Sequence, residues 1–235
     1  MLPGWRRIPG PPRDAVKARL LRLHRALLRR FGPQGWWPGR TPFEVAVGAI
    51  LTQHTAWTNA ARGVTALQRR GLLRPERLAS LTEDEVAALI RSAGTYRLKA
   101  RRLLDFTRWL RDRFGGRFSP MRRAPLAGLR RDLLAVSGLG PETVDAILLY
   151  AAGRPVFVAD AYARRILVRH RLLPAGATYE QTRAFVEGHL PSDPALFNEL
   201  HALVVAAGKE YCRTVPLCSA CPLHGDLNGR PPRRA

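Results

Sequence analysis

LAGLRRDLLAVSGLGPETVDAILLYAAGRPVFVADAYARR, residues 126–165, decides how the rest of the chain folds. Leu126, Leu129, Leu133, Leu134 and Val136 keep a helical period up to Ser137-Gly138-Leu139-Gly140. A second helix then opens on Pro141 and Glu142. So tight a turn between helices calls for positive φ, which Gly138 and Gly140 are placed to supply. Pro141 suits a first helical turn, where its missing N–H costs nothing, and Glu142 complements the positive end of the helix dipole. Val144, Ile147, Leu148 and Ala151 share one face of the second helix. The backbone N–H groups left free at its start make a ready anion site. Past Gly153, the apolar run Val156-Phe157-Val158 delivers Asp160, 20 residues after Gly140, to the start of another helix. A phosphate-gripping turn is thus followed by a placed carboxylate.

Upstream, Thr41-Pro42-Phe43-Glu44 reads as a helix start, with Thr41 as cap and Pro42 in the first turn. The helix to Leu51 is almost wholly apolar, which predicts a place at the centre of a bundle. It ends at Thr52-Gln53-His54-Thr55, and a further helix runs to Arg70. Helices are predicted over 75–80, 83–92, 97–114, 126–136 and 141–152, and again from Ala161 to His170. At the N-terminal side, Asp14 is expected to cap a helix through Val16, Leu20, Leu21, Leu23, Leu27 and Leu28, ended by Phe31-Gly32-Pro33. Residues 1–12, MLPGWRRIPGPP, are rich in Pro and Gly and are expected to be poorly ordered. Strand-like alternation is missing throughout, so the predicted class is all-α.

With 235 residues, 46% of them hydrophobic, the chain can build one large domain or two small ones. Lys and Arg number 39 against 18 Asp and Glu, a formal charge of +21. That excess points to a polyanion, with nucleic acid the first candidate and an anionic membrane surface its competitor. Genomic base bias toward Arg and Ala would produce part of the same excess. No apolar run approaches a membrane span and no signal peptide opens the chain, so no membrane partner is expected. The three cysteines, Cys212, Cys218 and Cys221, argue against a disulfide framework and for a reduced compartment, with a metal site open.

G-L-G-P-E-T-V-D-A-I-L (138–148) followed by V-F-V-A-D-A-Y (156–162) resembles the helix-hairpin-helix and catalytic aspartate of the endonuclease III superfamily of DNA glycosylases. The resemblance extends from Trp36 to Pro222 and takes in LTQHTAW (51–57) and AGTYRLKARRL (93–103). It implies two helical lobes with DNA in the cleft between them. One is a six-helix bundle, residues 34–154; residues 1–33 and 155–235 form the other, with the cysteine loop. It further implies base-excision repair, double-stranded DNA as partner, a monomer, and a cytoplasmic, nucleoid-associated location.

By the same resemblance Asp160 stabilises positive charge on the deoxyribose as the N-glycosidic bond breaks, or orients the attacking water; read alone, it is equally a helix cap. Glu142 stands where bifunctional members carry the lysine that forms a Schiff base, so strand-cleaving lyase chemistry is expected to be absent and water to be the nucleophile. Gln53 matches the residue that fills the gap left by a flipped nucleotide, and Tyr96 lies on the loop of the second wedge; a surface amide and a core-edge ring are the plain alternatives. Gly138, Leu139, Gly140 and Thr143 are the expected DNA-gripping set.

Trp36, Trp37 and Trp57 resemble the rings with which the 3-methyladenine glycosylase branch sandwiches the extruded base. Any one of them taken singly would equally be a core anchor. Alkylated purines are electron-poor and are drawn to an aromatic face. The alternative substrates are uracil, mismatched thymine or an oxidised base, and the alternative class is a silent lesion-binding protein. Glu142 and His54 are further candidates for the pocket, although His54 also reads as a packed histidine. Lys209 matches a lysine that orders the C-terminal segment, or is a solvated helix end.

The family's cysteine loop often holds a 4Fe-4S cluster. Here the fourth position is Leu227, or Asn228 with an insertion, which leaves three thiolates, a Cys3His site with His224, or no metal. Arg91, Arg97, Lys99, Arg101 and Arg102 beside Tyr96, and Arg164, Arg165 and Arg169 after Asp160, are candidate phosphate contacts or solvated faces.

Overall fold

The computed structural model describes residues 12–234, so the expectation of a poorly ordered start falls, for residues 1–11, outside the described residues. Its α-helices are α1 (Arg13–Phe31), α2 (Pro42–Leu51), α3 (Trp57–Arg69), α4 (Pro75–Ala79), α5 (Glu83–Leu89), α6 (Tyr96–Phe114), α7 (Leu126–Leu134), α8 (Pro141–Ala146), α9 (Ala161–Arg169), α10 (Tyr179–His189) and α11 (Pro194–Glu210). There is no strand among the described residues. The class is all-α, as the periodicity indicates. No described helix is long and apolar enough to cross a membrane.

The helices form two compact units. The first comprises residues 35–158 with 193–198 and is built around α2. Thr41 caps α2 by accepting the Glu44 N–H, and Pro42 fills the first turn. From Val45 to Leu51 every residue of α2 is buried, and α2 touches α3, α6 and α8. Each fully buried side chain such as Ile50 or Leu51 contributes about 1.5–3 kcal/mol. A helix apolar on every side can be placed only at such a centre.

Two local expectations are corrected in this unit. Gly138 has the left-handed φ of +76°, but Gly140 is extended, with φ −81° and ψ 170°, and serves as the N-cap of α8. A single left-handed residue therefore reverses the chain. The second hairpin helix also does not continue as α to 152: from Ile147 to Ala151 it widens into a π turn, closed by the Ala152 N–H on the Ile147 carbonyl at 3.0 Å. One extra residue per turn there rotates Tyr150 away from its α-helical position.

The second unit comprises residues 12–34, 159–192 and 199–234 of the described chain. α1 presents the buried stripe Val16, Leu20, Leu23 and Leu27 and packs on α10, which also meets α9. Its cap is Pro12, so Asp14 lies inside the first turn as a dipole partner and not as the predicted cap. The C-terminal loop is fastened to this unit by Asp226, whose carboxylate takes Arg19 Nε at 2.8 Å, Arg19 Nη2 at 2.6 Å and His170 Nδ1 at 2.8 Å.

Candidate active site

Asp160 is the N-cap of α9. Its Oδ1 accepts the Ala163 N–H at 2.8 Å, and its Oδ2 faces His201 Nε2 at 3.6 Å. The side chain is largely buried, with the second oxygen uncommitted to the helix. The cap thus uses one oxygen and leaves the other available. His201, buried on α11, is a neighbour that sequence reasoning missed, since nothing in LHALVV distinguishes it from a packed ring.

In the first unit, Trp37 sits at the middle of an aromatic cluster. Its ring meets Trp36 and Trp57 edge-on, each at 5.3 Å between centroids, with interplanar angles of 76° and 85°. Tyr150, on the π turn, lies 5.3 Å from it at 34°. Gly48 of α2 lets the indoles approach: a Cβ there would come within 3.1 Å of Trp37 Nε1 and 3.3 Å of Trp57. The expected tryptophans do come together, and Tyr150 joins them unpredicted. They stand in T-shaped contact, not as two parallel walls. All four residues are half-buried. His54 is exposed in a left-handed turn, φ +49°, and makes none of these ring contacts. Glu142 is exposed in the first turn of α8.

Gln53 is tied to the hairpin. Its Nε2 donates to the Gly138 carbonyl at 3.1 Å and to Thr143 Oγ1 at 2.9 Å, while Arg102 Nη1 donates to its Oε1 at 2.7 Å. Both ends of the amide are satisfied, which fixes its orientation. Leu139 is buried in the turn, and Gly138 and Gly140 are exposed. Tyr96, the first residue of α6, is half-buried with the Arg91 guanidinium 5.9 Å from its ring centre.

Two cations of the predicted phosphate-binding groups are not on the surface. Lys99 is 1% exposed, and burial pushes its ammonium below the usual lysine range, helped by the charge of Arg102. Arg169 is buried and donates to Cys212 Sγ at 3.3 Å and to the Thr214 carbonyl at 2.9 Å. Arg165 likewise is spent on the Cys212 carbonyl, at 2.6 Å. These two arginines hold the cysteine loop instead of reaching outward. Lys209 is exposed near the end of α11, where its carbonyl takes the Arg213 Nε–H.

Cys212, Cys218 and Cys221 line one small cavity with Leu227. The fourth thiolate position of a cluster is thus a buried aliphatic side chain. His224 is exposed, and among the described residues no three His, Cys, Asp or Glu side chains stand in metal-holding geometry. Burial, with the neighbouring Cys212 and Cys218, pushes the Cys221 thiol up. The donor set therefore fits neither a four-thiolate cluster nor a Cys3His site.

The family description "HhH-GPD superfamily base excision DNA repair protein" matches residues 47–192. A putative DNA repair glycosylase of Methanocaldococcus jannaschii is 39% identical over 206 residues, 87% of this chain and 93% of the relative. Among solved structures, the 3-methyladenine DNA glycosylase of H. pylori bound to 1,N6-ethenoadenine superposes with a TM-score of 0.70 at 24% identity, over 85% of this chain and 98% of that one. A non-covalent endonuclease III–DNA complex gives 0.74 at 20% identity, over 88% and 92%. The family match and the named relatives make this all-α protein a DNA glycosylase. This chain belongs to the HhH-GPD superfamily of base excision DNA repair proteins.

Proposed function

We propose that the protein is a monofunctional glycosylase that everts an alkylated purine from duplex DNA and releases it by water attack. The observation that carries this reading is the half-buried cluster of Trp36, Trp37, Trp57 and Tyr150 packed over Gly48. An electron-poor ring stacked on such a surface gains about 0.5–2 kcal/mol when it is cationic. An alkylated purine is also a good leaving group, so a carboxylate that stabilises the developing positive charge on the sugar suffices in place of a strong acid. Asp160 supplies that carboxylate. Gln53 and Tyr96 enter the duplex to hold the vacated space, and the Gly138–Gly140 turn takes the backbone. The same fold serves the H. pylori 3-methyladenine glycosylase, whose structure holds a modified adenine. The test is incubation with methylated duplex DNA and identification of every base released. Release of uracil or thymine alone, from a panel that also holds them mispaired, would replace the substrate assignment.

The water mechanism follows from position 142. A carboxylate there has no amine to form an imine with C1′ of the sugar. Borohydride added during turnover is therefore expected to trap no covalent protein–DNA adduct, and a trapped adduct would end the monofunctional reading. The cysteine loop acts as a structural clamp through Arg165 and Arg169. Protein isolated without oxygen is expected to lack the visible absorbance of an iron–sulfur cluster, and a stoichiometric iron content would contradict this.

A further inference from the structure

Lys99 takes no part in stacking, in carboxylate chemistry or in phosphate contact. Its ammonium is 1% exposed, with no carboxylate beside it among the described residues. Instead Nζ donates to the carbonyls of Leu51, at 2.9 Å, and Ala93, at 2.6 Å. Leu51 ends α2 two residues before Gln53, and Ala93 lies three residues before Tyr96. One ammonium therefore fastens the roots of the two turns that carry Gln53 and Tyr96. Arg102, three residues further along α6, holds the Gln53 amide at 2.7 Å and lies so close under Gly138 that a Cβ there would meet its Nε at 2.2 Å. One helix face thus registers both turns and the hairpin.

Stability alone is a weak reason for a buried ammonium without a counter-ion: its bonds satisfy the Leu51 and Ala93 carbonyls, but its charge is desolvated. Geometry is a better one. An ammonium has several donors and demands both carbonyls at fixed distances, which no apolar side chain does. We propose that Lys99 is a positioning residue for base extrusion: by binding the Leu51 and Ala93 carbonyls to one point it sets the spacing at which Gln53 and Tyr96 enter the duplex around an everted nucleotide. This rests on the roles given to Gln53 and Tyr96 above.

The test uses duplex DNA with 2-aminopurine beside 1,N6-ethenoadenine, whose fluorescence reports unstacking whether or not a base is cut. Lys99→Met is expected to bind undamaged duplex within about threefold of wild type, yet to unstack the reporter about 10- to 100-fold more slowly, since a displacement of about 1 Å costs on that order. The same lesion in single-stranded DNA, where no gap is held open, should be handled at a rate close to that of wild type. Lys99→Arg keeps charge and donors but not the compact geometry; it should show the same selective loss, smaller, and it decides the matter if the Met variant does not fold. Equal losses on duplex and single strand would mean a merely structural lysine and would overturn the proposal, as would wild-type unstacking by both variants. A wild-type protein that unstacks the reporter but releases no base would refute the assigned activity and leave the role of Lys99 standing. One that does neither overturns both.

Discussion

An Asp160→Asn chain is expected to release base at least about 10²-fold more slowly than the wild-type protein from the same DNA, while binding that DNA equally well. The substitution is unusually clean. Asn is as good an N-cap as Asp, so the bond from the Ala163 N–H and with it the start of α9 should survive. What disappears is the negative charge on the oxygen that faces His201 and is not used by the cap. If that charge stabilises the cationic sugar or orients water, its loss should lower the single-turnover rate about 10²- to 10⁴-fold, equivalent to about 2.7–5.4 kcal/mol of transition-state stabilisation. Thermal stability should move little, because the cap is kept. DNA affinity should hold or rise slightly, since one negative charge is removed from a chain of net charge +21. A variant within tenfold of wild type, equally stable, would leave Asp160 as a helix cap and nothing more.

The fold is legible in the sequence where local chemistry decides it. The almost wholly apolar α2, the Thr41 cap and the Ser137–Gly140 reversal each carry a signal within a few residues. The aromatic candidates are legible one by one, but their arrangement is not: it depends on Gly48 and on a π turn in Ile-Leu-Leu-Tyr-Ala, whose apolar pattern reads equally well as continuous α-helix. Lys99 passes for a surface cation because Tyr-Arg-Leu-Lys-Ala-Arg-Arg looks like a basic face. Its burial is set by a carbonyl 48 residues away in the chain. Arg169 misleads for the same reason, its partners lying 43 to 45 residues on. Charge counts report how many cations a chain has, and only packing reports which of them are free to meet a phosphate.

Asp145 shows how much a partner in space can change the meaning of an unremarked residue. It is wholly buried on α8, and Arg130 of α7 grips both of its oxygens, Nε to Oδ1 at 2.7 Å and Nη2 to Oδ2 at 3.0 Å. The pair joins the two hairpin helices below the Gly138 turn. Breaking such a pair from one side strands a buried charge and costs about 3–5 kcal/mol, a large share of the roughly 5–15 kcal/mol that usually holds a protein folded. Asp145→Ala should therefore lower the melting temperature by about 6–20 °C, at about 2–4 °C per kcal/mol for a chain of this size. Replacing the guanidinium that loses this partner as well should restore much of the loss. Arg130→Met combined with Asp145→Leu is expected to melt higher than Asp145→Ala alone. On the proposed function the hairpin takes the DNA backbone, and that hold should follow the same order, because the pair joins the two helices that flank the turn. An Asp145→Ala protein that melts within about 2 °C of wild type would show that the ion pair contributes nothing net to stability.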